Sequence, residues 1–176
     1  MKQPAPAEVL QYHRTIEDAL DFTRAMAEAH PDQSPYFRMT DDEVASLLSA
    51  AAEELDQQVV LLLTASFEAV FQRDCKGCLE RKINDERSRK FRKAFKSIKG
   101  KWRNDRIALE RILDAWKKVS GKSKGIGNFA QLLQYRHWLA HGRHFVQKSG
   151  LRFPVTPNDA WRRGTDALRA AGIVIV

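Results

Sequence analysis

The stretch from Thr40 to Lys76 constrains the fold most, because it contains no proline or glycine and keeps a single helical rhythm. Thr40-Asp41-Asp42-Glu43 has the pattern of a capping box, which predicts a helix start. A stripe at steps of three and four residues follows, the spacing of one helical face: Val44, Leu47, Leu48, Ala51, Leu55, Val59, Leu62, Leu63, Ser66, Phe67 and Val70. A helix over this stretch would span ~50 Å. That length predicts the spine of a helical bundle.

Helical spacing recurs along the rest of the chain. It predicts a first helix from about Pro6 to His30, a cation-rich amphipathic helix after Gly77, and a helix over 107–119. The glycine-rich 121–127 predicts a flexible basic loop, with Asn128 capping the next helix. Thr156 and Pro157 predict the start of a last helix that ends near Ala171. The tail IVIV fits either a short strand or packing on the bundle. No other strand signal is present, so we expect an all-α fold.

Length and composition set the class of protein. The chain has 176 residues and 43% hydrophobic content, which fits one globular domain. Its longest apolar run, 59–65, is far shorter than the roughly 18 residues of a membrane span, and the N-terminal residues lack the apolar segment of a secretory signal. A cytoplasmic protein without a membrane segment is therefore expected. Cys75 and Cys78 form a lone C-x-x-C, for which we expect two reduced thiols near a helix end.

Charge is distributed unevenly. Residues 1–56 hold 4 basic and 12 acidic side chains, whereas residues 81–106 hold 12 basic and 3 acidic ones. The basic stretch is dense enough to attract a polyanion through counterion release. It is equally compatible with a solvated helical face that offsets the acidic N-terminal third.

The stretch from Gln131 to Phe145, QLLQYRHWLAHGRHF, carries the densest chemistry. His137, His141 and His144 lie at i, i+4 and i+7 and share one helical face, with Arg136 beside it. Apolar residues at helical spacing anchor the opposite side. Histidine exchanges protons near neutral pH, and arginine holds phosphate in a bidentate fork.

The segment RHWLAH, in which Arg136 is followed by His141, resembles the R-x4-6-H motif of the HEPN (higher eukaryotes and prokaryotes nucleotide-binding) superfamily. The run LLLTASFEAVF on the predicted long helix is similar to the apolar run with phenylalanine and glutamate seen in several HEPN families. The resemblance implies a helical bundle with a core at about 41–145 and a C-terminal appendage at 150–176. It also implies that Glu68 lies near the helix that carries RHWLAH, the motif helix. In the family the residue after the arginine is often asparagine, where this chain has His137.

The resemblance further implies a metal-independent endoribonuclease without a cofactor. Such an enzyme leaves a 2′,3′-cyclic phosphate and a 5′-hydroxyl. On a straight helix Arg136 and His141 lie roughly 140° and 7.5 Å apart, so one pair makes a poor site. The family's answer is a homodimer in which two motif helices meet. Small HEPN proteins often resemble toxins or phage-defence factors with a neutralising partner protein.

Roles for individual residues follow from this reading. Arg136 and His141 are the expected catalytic pair, with His137 as an auxiliary proton carrier and Glu68 as the acid that orients the arginine or histidine. The expected RNA-binding cations are Arg89, Lys90, Arg92, Lys93, Lys96, Lys99, Lys101, Arg103 and Arg143.

Two other functional readings stay open. The three histidines at i, i+4 and i+7 could ligate a metal, although the neighbouring arginines would repel the ion. Alternatively, the chain is a non-catalytic helical module that binds nucleic acid or a protein partner through its basic stretch, 81–106, and the loop 121–127. The four tryptophans, Trp102, Trp116, Trp138 and Trp161, are expected in the core rather than as base-stacking platforms.

Overall fold

A computed structural model describes residues 4–80, 85–98, 108–121, 123–140 and 155–174. Within these ranges the chain forms six α-helices and no strand, which confirms the all-α fold. A short 3-10 turn, Pro31–Gln33, lies between the first two. The helices are α1 (Pro6–Ala29), α2 (Asp41–Glu80), α3 (Glu86–Ser97), α4 (Leu109–Ser120), α5 (Ser123–Ala140) and α6 (Pro157–Ala170).

Helix α2 is the spine of the bundle, as its rhythm predicts. It runs for 40 residues and contacts each of the other five helices. The predicted capping box fixes its start: the backbone N–H of Glu43 donates to Thr40 Oγ1 at 3.3 Å, and the N–H of Thr40 donates to the Glu43 carboxylate at 2.8 Å. The Thr40 N–H and the Thr40 hydroxyl both donate to the Glu43 carboxylate and lower its pKa, because these bonds favour the ionised form.

One face of α2 builds the centre of the core. Val59, Leu63, Phe67 and Phe71 recur every four residues and are fully buried. Phe129 of α5 packs against both phenylalanines, with ring centroids 6.1 Å from Phe67 and 5.5 Å from Phe71. This aromatic seam sets how α5 is oriented against α2.

The tryptophans of the described ranges belong to the core, as expected. The ring of Trp116 on α4 is buried and packs at a tilt against the ring of Phe91 on α3, with centroids 4.5 Å apart. Trp138 and Trp161 are partly buried and pack against the same cluster. Trp102 lies outside the described residues.

Three arginines close the C-terminal ends of helices, where backbone carbonyls lack helical partners. Arg87 Nε donates to the carbonyl of Ala171 after α6 at 3.1 Å. Arg92 Nη1 donates to Cys78 in the last turn of α2 at 2.8 Å, and Arg111 Nη2 donates to Phe95 in the last turn of α3 at 3.3 Å. Part of the positive charge of α3 and α4 therefore stabilises the fold.

The predicted loop over 121–127 is wrong beyond its first residues. Gly121 ends α4 with a left-handed φ of 63°, but α5 begins at Ser123, so Asn128 lies inside the helix and does not cap it. Ile126 and Phe129 are fully buried. Their burial outweighs the roughly 1 kcal/mol that each helical glycine costs. A Cβ on Gly125 would lie 3.2 Å from the Asp166 carbonyl oxygen, so this glycine lets α5 and α6 approach closely.

Helix α6 starts where the sequence predicts, but it packs into the core and is not a C-terminal appendage. Thr156 Oγ1 accepts the N–H of Asp159 at 3.2 Å, and Pro157 is the first helical residue. The segment is no appendage to a core at 41–145, since Ala167 and Leu168 are fully buried in that core. Of the IVIV tail, Ile173 packs on the bundle, Val174 is exposed, and the last two residues lie outside the described ranges.

The two cysteines behave as expected for structural thiols. Cys75 and Cys78 are unpaired and buried in the last two turns of α2. Among the helices that the structure describes, none is both long and apolar enough for a membrane crossing.

Candidate active site

The structure brings Arg136 and Glu68 into direct contact. Nη1 of Arg136, near the C-terminal end of α5, lies 2.5 Å from Oε2 of Glu68 in the middle of α2. The two side chains are 40% and 30% exposed, so the pair is reachable from solvent and partly enclosed by the bundle. The proximity that the family resemblance implies for Glu68 is present. Its catalytic role stays a prediction.

The position of this ion pair follows from the aromatic seam beneath it. Phe67 precedes Glu68 on α2, and Tyr135 precedes Arg136 on α5; both aromatic side chains are buried. A step of one residue turns a helix by 100°, so each charged neighbour emerges at the rim of the buried contact. The packing of α2 against α5 therefore positions the ion pair.

His137 follows Arg136 in the last turn of α5 and is exposed. Trp138 follows it and stacks on Tyr135, with ring centroids 5.7 Å apart. His141, His144 and Arg143 lie outside the described residues. The expected Arg136–His141 geometry, the meeting of two motif helices and the histidine metal site are therefore predictions that these ranges leave open.

The predicted RNA-binding cations divide into groups. Arg89, Lys93 and Lys96 project from one exposed side of α3, and none of them forms an ion pair with any described residue. Lys90 is also exposed, but Glu86 holds its ammonium at 2.7 Å. Arg92 is turned towards the end of α2. The remaining members, Lys99, Lys101, Arg103 and Arg143, lie outside the described ranges.

Sequence reasoning missed a buried histidine. Steps of three and four residues from Val9 predict Tyr12 and Ile16 on the buried face of the first helix, yet Tyr12 is 52% exposed and His13 is buried instead. Its Nε2 lies 2.8 Å from Asp56 of α2, and its Nδ1 lies 3.1 Å from Glu17. The i, i+4 spacing of His13 and Glu17 was the one available signal.

His13, Glu17 and Asp56 are the one group of potential metal ligands within the described ranges. Each ring nitrogen already faces a carboxylate, and the two nitrogens point in different directions. The hydrogen bond between His13 and Asp56 therefore fastens α1 to α2, with Glu17 contacting the same ring from within α1, and we assign this group no catalytic part.

Burial disfavours a reactive thiolate at both cysteines of the C-x-x-C pair. Burial raises the pKa of Cys75 to about 12, and burial also raises the pKa of Cys78. Thiolates are the form that attacks disulfides and binds metals. No third ligand joins the two thiols among the described residues.

No protein-family model, curated protein or solved structure matches this chain. The residues themselves therefore carry the functional proposal.

Proposed function

We propose that the protein is a metal-independent endoribonuclease whose site is built around Arg136. The contact between Arg136 and Glu68 carries this proposal, because it holds a guanidinium in a defined place at a solvent-reachable rim. Among the described residues, Arg136 donates from Nη1 alone. A guanidinium has five N–H donors in a planar fork, so the remaining donors suit a phosphate.

The proposed reaction needs three tasks. A base takes the proton of the ribose 2′-hydroxyl, the 2′-oxygen bonds to phosphorus, and the bond from phosphorus to the 5′-oxygen breaks as that oxygen receives a proton. We assign the proton transfers to His141, with His137 as an auxiliary carrier. Arg136 stabilises the negative charge that grows on the phosphate oxygens, and Glu68 orients Arg136. The products are a 2′,3′-cyclic phosphate and a 5′-hydroxyl.

The site is proposed to be shared by two copies of the chain. One Arg136 and one His141 on a single straight helix diverge by roughly 140°, so a second motif helix is needed to complete the set. A twofold axis would place the equivalent residues of both copies around one cleft. In this proposal the enzyme acts as a toxin or phage-defence effector under the control of a neutralising protein.

The chemical test uses purified protein and an unmodified single-stranded RNA in EDTA. Cleavage with cyclic-phosphate and 5′-hydroxyl ends, abolished in His141→Ala, is the expected result. Activity that disappears on chelation and returns with zinc would support the histidine metal site instead. Binding of RNA without any cleavage would support the non-catalytic module, which the exposed cations of α3 also fit.

The assembly test measures specific activity across a dilution series. A shared site loses activity below the dissociation constant of the dimer. Mixed dimers of wild type with His141→Ala should lose more than half of the activity per wild-type chain. Full specific activity in a demonstrated monomer would contradict the shared site.

A further inference from the structure

Helices α3 and α4 together carry cations that the proposed catalytic site does not use. Arg89, Lys93 and Lys96 are exposed on one side of α3, spread over ~10 Å of its axis. Lys118 of α4 is exposed as well, and its Nζ lies 3.3 Å from Oγ of Ser97, the last residue of α3. The ammonium of Lys118 thus adds a fourth positive charge next to the C-terminal end of that side.

The other basic groups of this surface are neutralised or turned inward. Asp114 holds Lys117 at 3.1 Å, as Glu86 holds Lys90 at 2.7 Å. Arg87 forms a two-oxygen contact with Asp74 and lies over the Trp116 ring. Four exposed cations therefore form no ion pair with a described residue and can face an external anion: Arg89, Lys93, Lys96 and Lys118. The charge of Arg89 also acts on the nearby carboxylate of Glu86.

A groove links the two helices at this point. Ser97, Ile98, Asp114, Lys117 and Lys118 line an open space of about 400 Å³. Lys118 lines this space and its Nζ reaches Oγ of Ser97, so the groove lies at the C-terminal end of α3. We call the four available cations together with this groove the α3–α4 surface.

Among the described residues, the α3–α4 surface has no aromatic side chain with which to stack a base. Phe91, Phe95 and Trp116 are the aromatic residues of α3 and α4, and all three are buried. Single-stranded nucleic acid is commonly held by a basic groove plus stacking on aromatic rings, each worth about 1–3 kcal/mol per base. Here the second contribution is missing from both helices.

We propose that the α3–α4 surface tethers RNA through its phosphates alone, without preference for base sequence. The choice of RNA rests on the proposed endoribonuclease function. The surface would raise the local concentration of RNA, while any base preference would arise elsewhere on the protein. Phosphate contacts position a nucleic acid, and contacts to bases specify sequence.

A quantitative test follows from counterion release. For single strands the slope of log K against log salt is about −0.7 per neutralised phosphate. Four cations predict a contribution of about −2.8. The double variant Lys93→Gln/Lys118→Gln should therefore flatten the slope by about 1.4 and weaken binding at low salt. The matched control is Arg24→Gln/Arg38→Gln, which removes two charges from the acidic N-terminal third.

The probe is a 2′-O-methylated single-stranded RNA of about 20 nucleotides, longer than the roughly 4–16 nucleotides of single-stranded binding sites. Methylation removes the nucleophilic 2′-hydroxyl, so binding is measured whether or not the protein is a nuclease. We expect the control to match wild type, and oligoadenosine and oligouridine probes to bind alike. Equal slopes of log K against log salt in all three proteins would refute the tether, as would equal flattening of that slope in both variants. A base preference of about tenfold or more, or no binding of the probe by wild type, would also refute it. Failure of the nuclease proposal appears separately, in cleavage of unmodified RNA.

Discussion

Glu68 and Arg136 join the middle of α2 to the C-terminal end of α5 through one contact, Nη1 to Oε2, at 2.5 Å. The residues are 68 positions apart in the chain, and the buried rings of Phe67 and Tyr135 beside them fix where they meet. Half-exposed ion pairs of this kind contribute about 0–1 kcal/mol to stability. Removing either partner should therefore leave the fold intact, which makes function separable from stability.

Glu68→Gln tests whether the glutamate positions the arginine. The amide keeps the shape but loses the charge that draws Arg136 into place. We expect kcat for RNA cleavage to fall about 10- to 100-fold, with little change in KM and a thermal midpoint close to wild type. Steady-state kinetics and thermal unfolding measure the two effects. Glu53→Gln, an exposed position on the same helix, is the control, and equal kinetics in both variants would remove the role assigned to Glu68.

Gly164→Ala tests the packing that supports the site. A Cβ at Gly164 would overlap the ring of Phe67, which is fully buried and cannot swing into solvent. Overpacking of this kind costs about 1–3 kcal/mol. We expect a lower midpoint in thermal and urea unfolding.

Gly77→Ala on α2 is the matched substitution, since a Cβ there meets no atom of the surrounding structure within 4 Å. Alanine is the better helix former by about 1 kcal/mol, so this variant should be as stable as wild type or more so. A Gly164→Ala protein with unchanged stability would show that α6 does not press on Phe67.

The cysteines supply a prediction about reactivity. Because burial raises the pKa of Cys75 to about 12 and raises that of Cys78, both thiols stay protonated near pH 8. An aromatic disulfide reagent should label neither in the native protein and both in guanidinium chloride. Rapid labelling of either cysteine in the folded state would contradict the buried placement.

Local signals in the sequence predicted the helix starts well. The Thr40 capping box and the Thr156–Pro157 pair each specify a start through their own side chains, so no distant contact was needed. Asn128 led to a wrong helix start, because it fits the pattern of an N-cap residue. Burial of Ile126 and Phe129 instead extends α5 back to Ser123 through two glycines. That contribution depends on α2 and α6 and cannot be seen in a window of neighbouring residues.

The site was predictable in part. Arg136 and its neighbours stood out by composition, but only the family resemblance, not spacing, implied that Glu68 lies beside the motif helix. The tie between His13 and Asp56 was missed, since it joins residues 43 positions apart and replaces the apolar residue that a stripe would favour. The sequence also could not show which arginines of α3 are engaged within the fold. Arg87 and Arg92 donate to carbonyls at the ends of α6 and α2, whereas Arg89 is exposed.

Arg136→Gln, assayed in EDTA, tests the central claim most directly. The substitution removes the cation but keeps a polar side chain, so the fold should persist, with a change in unfolding free energy of about 1 kcal/mol or less. The proposal predicts that wild type cleaves single-stranded RNA without metal and that the variant is slower by about 10²- to 10³-fold. A variant that cleaves at the wild-type rate, or a purified wild-type protein that does not cleave RNA, would contradict the account.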